Sequence, residues 1–115
     1  MNELSLRLFN FSVNVSKLTK TLSDIPEFKV LRYQLVKSSS STAANYEEAQ
    51  GASSRADFHN KVLISLREMR ESNFWLRQLF EINEDAIAQE KISRLISESG
   101  ELKKILGSIA SKTKK

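Results

Sequence analysis

A chain of 115 residues, 40% hydrophobic and 28% charged, can bury one core and is too apolar to remain disordered. It has no cysteine, which excludes a thiol nucleophile, a disulfide and a cysteine–zinc site, and no apolar run near the roughly 18 residues of a membrane span. The net charge of +4 suits either ordinary solubility or an anionic partner.

Three glycines and one proline are too few for the many turns of a β domain, so a few long helices are expected. The opening MNELSLRL has an acidic residue where a signal peptide carries positive charge, and a cytoplasmic protein is expected. From Leu4, the residues Leu8, Phe11, Val15, Leu18 and Leu22 follow at spacings of three and four, which predicts a helix over 4–22. LSLRLFNFSVNV also alternates every second residue, as a strand does. The length of the segment, and the rhythm carried on to Leu22, decide for helix. Leu6, Phe9 and Val13 form a second stripe, read as lying beside the first and making a face wider than a small monomer uses. They are candidate contacts to a neighbouring subunit, and Trp75, whose indole is costly to leave exposed, is expected in the core or at such an interface.

SDIPE is a connection, with Asp24 and Glu27 read as a capping pair and Pro26 in the first turn of a helix over 26–50. The stretch KSSSSTAANYEEAQ, residues 37–50, resembles a linker at its start. Yet Leu31, Leu35, Ser38, Thr42, Asn45 and Ala49 keep the helical rhythm through the serines, and a linker has no reason to stay in phase. A continuous helix is expected, its small residues allowing close approach of a neighbour and its hydroxyls bonding to the preceding turn. Gly51 is the expected stop.

Ser54 and Asp57 predict the start of a third helix, 54–82, with a core stripe of Phe58, Val62, Ser65, Met69, Ser72, Leu76 and Leu79. Asn83 is read as the cap of a fourth, 84–111, with the stripe Ala88, Ile92, Leu95, Ser99, Leu102, Leu106 and Ile109. Gly100 is expected to weaken or bend it, and SKTKK to fray. The four helices imply an all-α, antiparallel up-down-up-down four-helix bundle, a single domain over 1–115.

Chemistry is sparse. His59 is the only histidine and has no HExxH or ExxH companion, so no metal site and no catalytic role is expected of it. There is no GxSxG elbow and no glycine-rich phosphate loop. The carboxylate pair Glu84 and Asp85 suits a helix start. Arg67, Arg70, Phe74 and Arg77 share one face of the third helix, a pattern that can hold a phosphate backbone. The alternative is pairing within the protein, Arg67 with Glu71 first. Lys103, Lys104, Lys112, Lys114 and Lys115 are either a solvated end or an anion contact.

Gln34-Leu35-Val36-Lys37-Ser38, then Ser41, Ala44-Asn45-Tyr46 and Glu48-Ala49, resemble the QLxRSxxSxxANYxEA signature of the bacterial four-helix bundle proteins, also called 23S rRNA intervening-sequence proteins. Ser54, Asp57-Phe58, Glu68, Glu71 and Trp75-Leu76 are similar to its second block, and Glu101-Leu102 with Ile105-Leu106 to its C-terminal ELxxIL. The chain departs from the pattern at Lys37, Thr42, Arg67 and Phe74, where arginine, an aliphatic residue, lysine and tyrosine are usual. The resemblance implies a ring-like homopentamer, no enzymatic activity, no cofactor and a nucleic-acid role. A related protein of diversity-generating retroelements binds nucleic acid and a reverse transcriptase, which extends the expected partners to such a protein. The expectation is therefore a non-enzymatic homo-oligomer holding RNA or DNA through Arg67, Arg70, Arg77, Lys103 and Lys104, with no membrane partner. The alternative is a protein-interaction scaffold with no nucleic-acid role.

Overall fold

The computed structural model describes residues 2–114. Four helices follow in order: α1, Glu3–Lys20; α2, Pro26–Ala49; α3, Arg55–Ile82; α4, Ala86–Thr113. No strand occurs among the described residues. Leu8, Phe11, Val15, Leu35, Val62, Met69, Leu76, Leu79, Ile92, Leu102 and Leu106 are all buried in one continuous core. Each helix packs on its neighbours in the chain, and α4 closes back on α1. Contact is most extensive between α2 and α3 and least between α1 and α4. The ends that meet are recorded by side chains. Arg32 near the start of α2 reaches the end of α1, Lys61 of α3 meets Glu48 at the end of α2, and Arg55 of α3 reaches the last turn of α4.

The serine-rich stretch is helix throughout, and Ser38, Ser39 and Thr42 are buried. They face Ser65 and Ser72 of α3, buried as well. The hydroxyls bond mainly across the interface rather than back along their own helix. Ser38 Oγ and Ser72 Oγ lie 2.7 Å apart. Thr42 Oγ1 donates to the Ser65 carbonyl at 2.7 Å, and Ser65 Oγ donates to the Thr42 carbonyl at 2.7 Å. Side chains of one helix reach main-chain carbonyls of the other only when the two backbones run close, which small residues permit. The intrahelical bond expected of such hydroxyls is left to Ser39, at 3.5 Å to the Val36 carbonyl.

The helix ends differ from the sequence reading, and the caps explain why. α1 stops at Lys20 rather than Leu22, and Arg32 holds the turn that follows, donating to the carbonyls of Thr19 at the helix end and of Leu22 and Ser23 beyond it. α2 is capped by Ile25 with no side-chain bond, while Asp24 pairs with Lys29 at 3.8 Å. Asp24 lies one residue too early to cap. α2 ends at Ala49 without a left-handed residue, so Gly51 does not form the expected glycine stop. Ser54 accepts from the Asp57 amide, capping α3 from just outside it. Asp85, rather than Asn83, caps α4 by accepting from the Ala88 amide at 2.8 Å, so the helix starts at Ala86 and not at 84. Asn83 instead closes α3 and ties the turn to Asp85 and Gln89. α4 continues through Gly100 without a break and past 111 to Thr113. Arg55 donates to the Lys112 and Thr113 carbonyls, and His59 Nδ1 hydrogen-bonds with Thr113 Oγ1 at 2.8 Å, so the expected fraying is held off. Lys115 lies outside the described residues.

Leu6, Phe9 and Val13 do not lie beside the core stripe. At about 100° per residue they fall nearly opposite Leu8, Phe11 and Val15. Leu6 and Phe9 are half exposed and Val13 is half-buried. The alternation that imitates a strand is thus two separate faces of one helix.

The hydroxyl seam gives a direct test. Thr42→Val and Ser65→Ala each remove one donor from a buried reciprocal pair, and each is expected to cost about 1–3 kcal/mol. In urea denaturation the double mutant should fall short of the sum by about 0.5–3 kcal/mol, the coupling of groups in one network. Simple additivity would show two independent hydroxyls.

Candidate nucleic-acid interface

Arg70 and Arg77 are seven residues apart, nearly two turns, and therefore share a face of α3. That face meets Lys103, Lys104 and Gly107 of α4, and the five residues with Asn73 line an open groove of about 570 Å³. Gly107 leaves its part of the α4 wall bare. At the base, Asn73 is 7% exposed and fixed at both ends of its amide. Its Nδ2 donates to Ser99 Oγ at 2.8 Å, and its Oδ1 accepts from Arg77 Nε at 3.0 Å. Arg77, itself a lining residue, is thereby anchored by its inner nitrogen. Its guanidinium also sits 5.8 Å from the Phe74 ring centre.

Among the described residues, the ion pairs use Arg7, Lys29, Lys61 and Arg94. None involves Arg70, Arg77, Lys103 or Lys104. The groove therefore gathers four cations that no carboxylate of the same chain neutralises. Arg67 is exposed and stands outside the groove. It makes no ion pair with Glu71, whose carboxylate accepts from Trp75 Nε1 at 3.2 Å. Trp75 is half-buried against the core. Lys112 and Lys114 lie at the end of α4, away from the groove lining.

Two features escaped the sequence reading. Asn73 positions Arg77, and its signal was present as an amide four residues before an arginine on one helix face. The second is a cleft of about 320 Å³ between α1 and α4, lined by Asn14, Lys17, Lys91 and Arg94 over Leu18 and Leu95. It joins residues from opposite ends of the chain, which no local spacing reveals. Arg94 there is paired with Glu90 at 2.6 Å. Along the same seam Arg7 binds Glu98 at 2.7 Å and Glu101 at 3.1 Å. The Glu98 hydrogen bond, more than any other contact, holds the Arg7 guanidinium above its ordinary range. No group of three histidine, aspartate or glutamate side chains is close enough to hold a metal among the described residues. No helix there is long and apolar enough to cross a membrane.

The model of the 23S rRNA-intervening sequence protein family matches residues 3–108. The chain belongs to that family. A search of curated proteins finds no match. Among solved structures, a protein of unknown function from the S23 ribosomal protein family of Bacteroides thetaiotaomicron VPI-5482 is similar. It is 33% identical, with 93% of this chain and 97% of that chain covered, at a TM-score of 0.82. The first block of the motif that resembles the 23S rRNA-intervening sequence proteins lies on α2, outside the groove lining, while the second runs along α3 as far as Trp75 and Leu76, next to the groove-lining Asn73 and Arg77. Ser38 bonds Ser72, Asn45 bonds back to the Ser41 carbonyl, and Tyr46 is buried. Glu48 pairs with Lys61 at 3.0 Å, Asp57 accepts from the Ser53 amide, and Phe58 packs on the core. Glu71 receives the Trp75 indole, and Gln34 is half-buried on α2.

Glu68, half-buried on α3, has its pKa raised by burial first and by Glu71 second, against opposing pulls from Arg67 and Lys37. Its folded carboxyl keeps a proton that the unfolded one releases. Stability therefore falls as pH rises through a window that begins near the ordinary value of 4.5. Glu68→Gln should raise the urea midpoint at about pH 7 and leave it unchanged below about pH 4, where both side chains are neutral.

Proposed function

We propose that this chain is a non-enzymatic cytoplasmic protein that folds as an antiparallel up-down-up-down bundle, assembles as a homopentamer and holds RNA or DNA by its phosphate backbone. One observation carries the nucleic-acid reading: Arg70, Arg77, Lys103 and Lys104 converge on one open groove without an acidic partner. An open cationic groove attracts phosphates without demanding a base sequence. Five copies at +4 each would carry about +20, a far stronger field than one chain. The antiparallel topology is supported by the helix ends that meet, since each start lies against its neighbour's end.

Assembly is supported by the outward face of α1. A ring closes through two different patches on each subunit. Leu6 and Phe9 on α1 offer one, and Val30 and Tyr33, 57% and 63% exposed on α2, offer another. Phe9→Glu combined with Val13→Glu is expected to lower the sedimentation mass while far-UV helicity is kept. An unchanged mass would remove this face from the interface.

The groove is tested by fluorescence anisotropy with a structured RNA and a random duplex DNA at about 50 and 200 mM salt. Affinity should fall with salt, at a slope near −0.9 per phosphate contacted on duplex DNA. Arg70→Gln and Lys104→Gln should each reduce that slope by about 1, whereas Lys29→Gln, outside the groove, should not. A second reading is favoured by side chains the groove does not use: Ile87, 72% exposed, and Tyr33. On that reading the protein is a scaffold for another protein, for which a reverse transcriptase is the precedent among related proteins. Absence of binding at low salt selects it.

A further inference from the structure

Resting on the nucleic-acid reading, we infer that the groove takes an unpaired strand, RNA or DNA, with a base stacked at Phe74, rather than a duplex. Phe74 is 47% exposed on α3, beside the groove-lining Arg70, Asn73 and Arg77. A large aromatic left half in water next to four unpaired cations needs a reason, because apolar rings are costly to expose. The ring is held in place on two sides. The Trp75 ring meets it edge-on, centroids 4.9 Å apart at 76°. The Arg77 guanidinium lies 5.8 Å from its centre, and Arg77 is itself tied to Asn73. Trp75 in turn donates to Glu71, which keeps that carboxylate occupied.

This arrangement joins the two elements of single-strand recognition: cations that follow the backbone and a fixed aromatic face on which a base stacks. Arginine planes stack on bases as well, so the Phe74–Arg77 pair offers two adjoining surfaces. A duplex keeps its bases paired and stacked on one another, and presents only phosphates and groove edges to a shallow surface. Phe74 then contributes nothing to duplex affinity. The groove cations contribute to both.

The test compares oligo(U), oligo(dT), an abasic DNA strand of the same length and a duplex, by anisotropy at one low salt concentration. The parent protein should bind both base-bearing strands more tightly than the abasic one. Phe74→Ala should weaken oligo(U) and oligo(dT) about 5- to 150-fold, the usual range for one stacked base, and leave the abasic strand and the duplex unchanged. Phe74→Leu keeps an apolar side chain without a ring and should behave like alanine, while Phe74→Trp should restore binding. Circular dichroism and sedimentation of each variant guard against misfolding or altered assembly. Equal loss on the abasic strand, no loss on the base-bearing strands, or a changed subunit count would overturn the inference. In the first two cases salt-sensitive binding through the groove would still stand. No binding to any of the four ligands would overturn both readings together. A loss for oligo(U) alone, or for oligo(dT) alone, would support stacking and identify which of the two strands the site accepts.

Discussion

The close approach of α2 and α3 is the constraint from which the rest of the architecture follows. Serine and threonine are mediocre helix formers, each costing roughly 0.5 kcal/mol against alanine. A helix carrying Ser38, Ser39, Ser40, Ser41 and Thr42 in succession needs tertiary contacts to persist. The reciprocal bonds of Thr42 with Ser65, and the Ser38–Ser72 contact, supply them and leave the buried hydroxyls satisfied. With its small-residue strip committed to α2, α3 sets Asn73 against Ser99 of α4. The remaining side of α3 carries Arg70, Phe74 and Arg77, which is how an uncompensated basic face arises on an otherwise ordinary helix.

Two helix ends are closed by a related device. The terminal carbonyls of α1 and α4 are satisfied by arginines of the helix packed alongside, Arg32 and Arg55. A guanidinium has several donors in a fixed fork and can serve more than one carbonyl at once. No glycine in a left-handed conformation is required, and none is present among the described residues. These caps are tertiary contacts: each ties a helix end to the helix packed alongside it.

That distinction explains what was legible in the sequence. The core stripes of all four helices could be read because burial repeats with the helical period, and the phase survived even through the serines. Asp24 and Asn83 were misread because capping depends on a shift of one or two residues: α2 begins after Ile25, whose side chain cannot cap, and at α4 a second good capping residue, Asp85, stands two places on. Leu6, Phe9 and Val13 were recognised as a stripe, but alternation at two-residue steps displaced them to the far side of α1. The spacing of Arg70 and Arg77 was visible along one helix. Their meeting with Lys103 and Lys104 was not, since it depends on how α3 and α4 are set against each other. The resemblance of 34–49 to the 23S rRNA-intervening sequence proteins was legible too, and its side chains maintain the α2–α3 packing. Such a motif reports the fold more directly than it reports a binding site.

The distribution of charge carries more functional information than its sum. A net +4 on 115 residues is modest, but the carboxylates are not spread evenly against the cations. Glu48 is paired with Lys61, Glu90 with Arg94, and Glu98 and Glu101 with Arg7. These pairs offset cations at the α2–α3 end and along the α1–α4 seam, where Arg94 shares its cleft with Lys17 and Lys91, which join none of them. The four cations of the α3–α4 groove take part in none of these pairs, and no acidic residue among the described residues lines that groove. Exposed ion pairs contribute little to stability, and the larger consequence of an acid-free lining is electrostatic: the fields of four cations add along one groove. In a ring of identical subunits that groove would recur at every position, and a ligand long enough to reach two of them would bind by avidity rather than by any single strong contact.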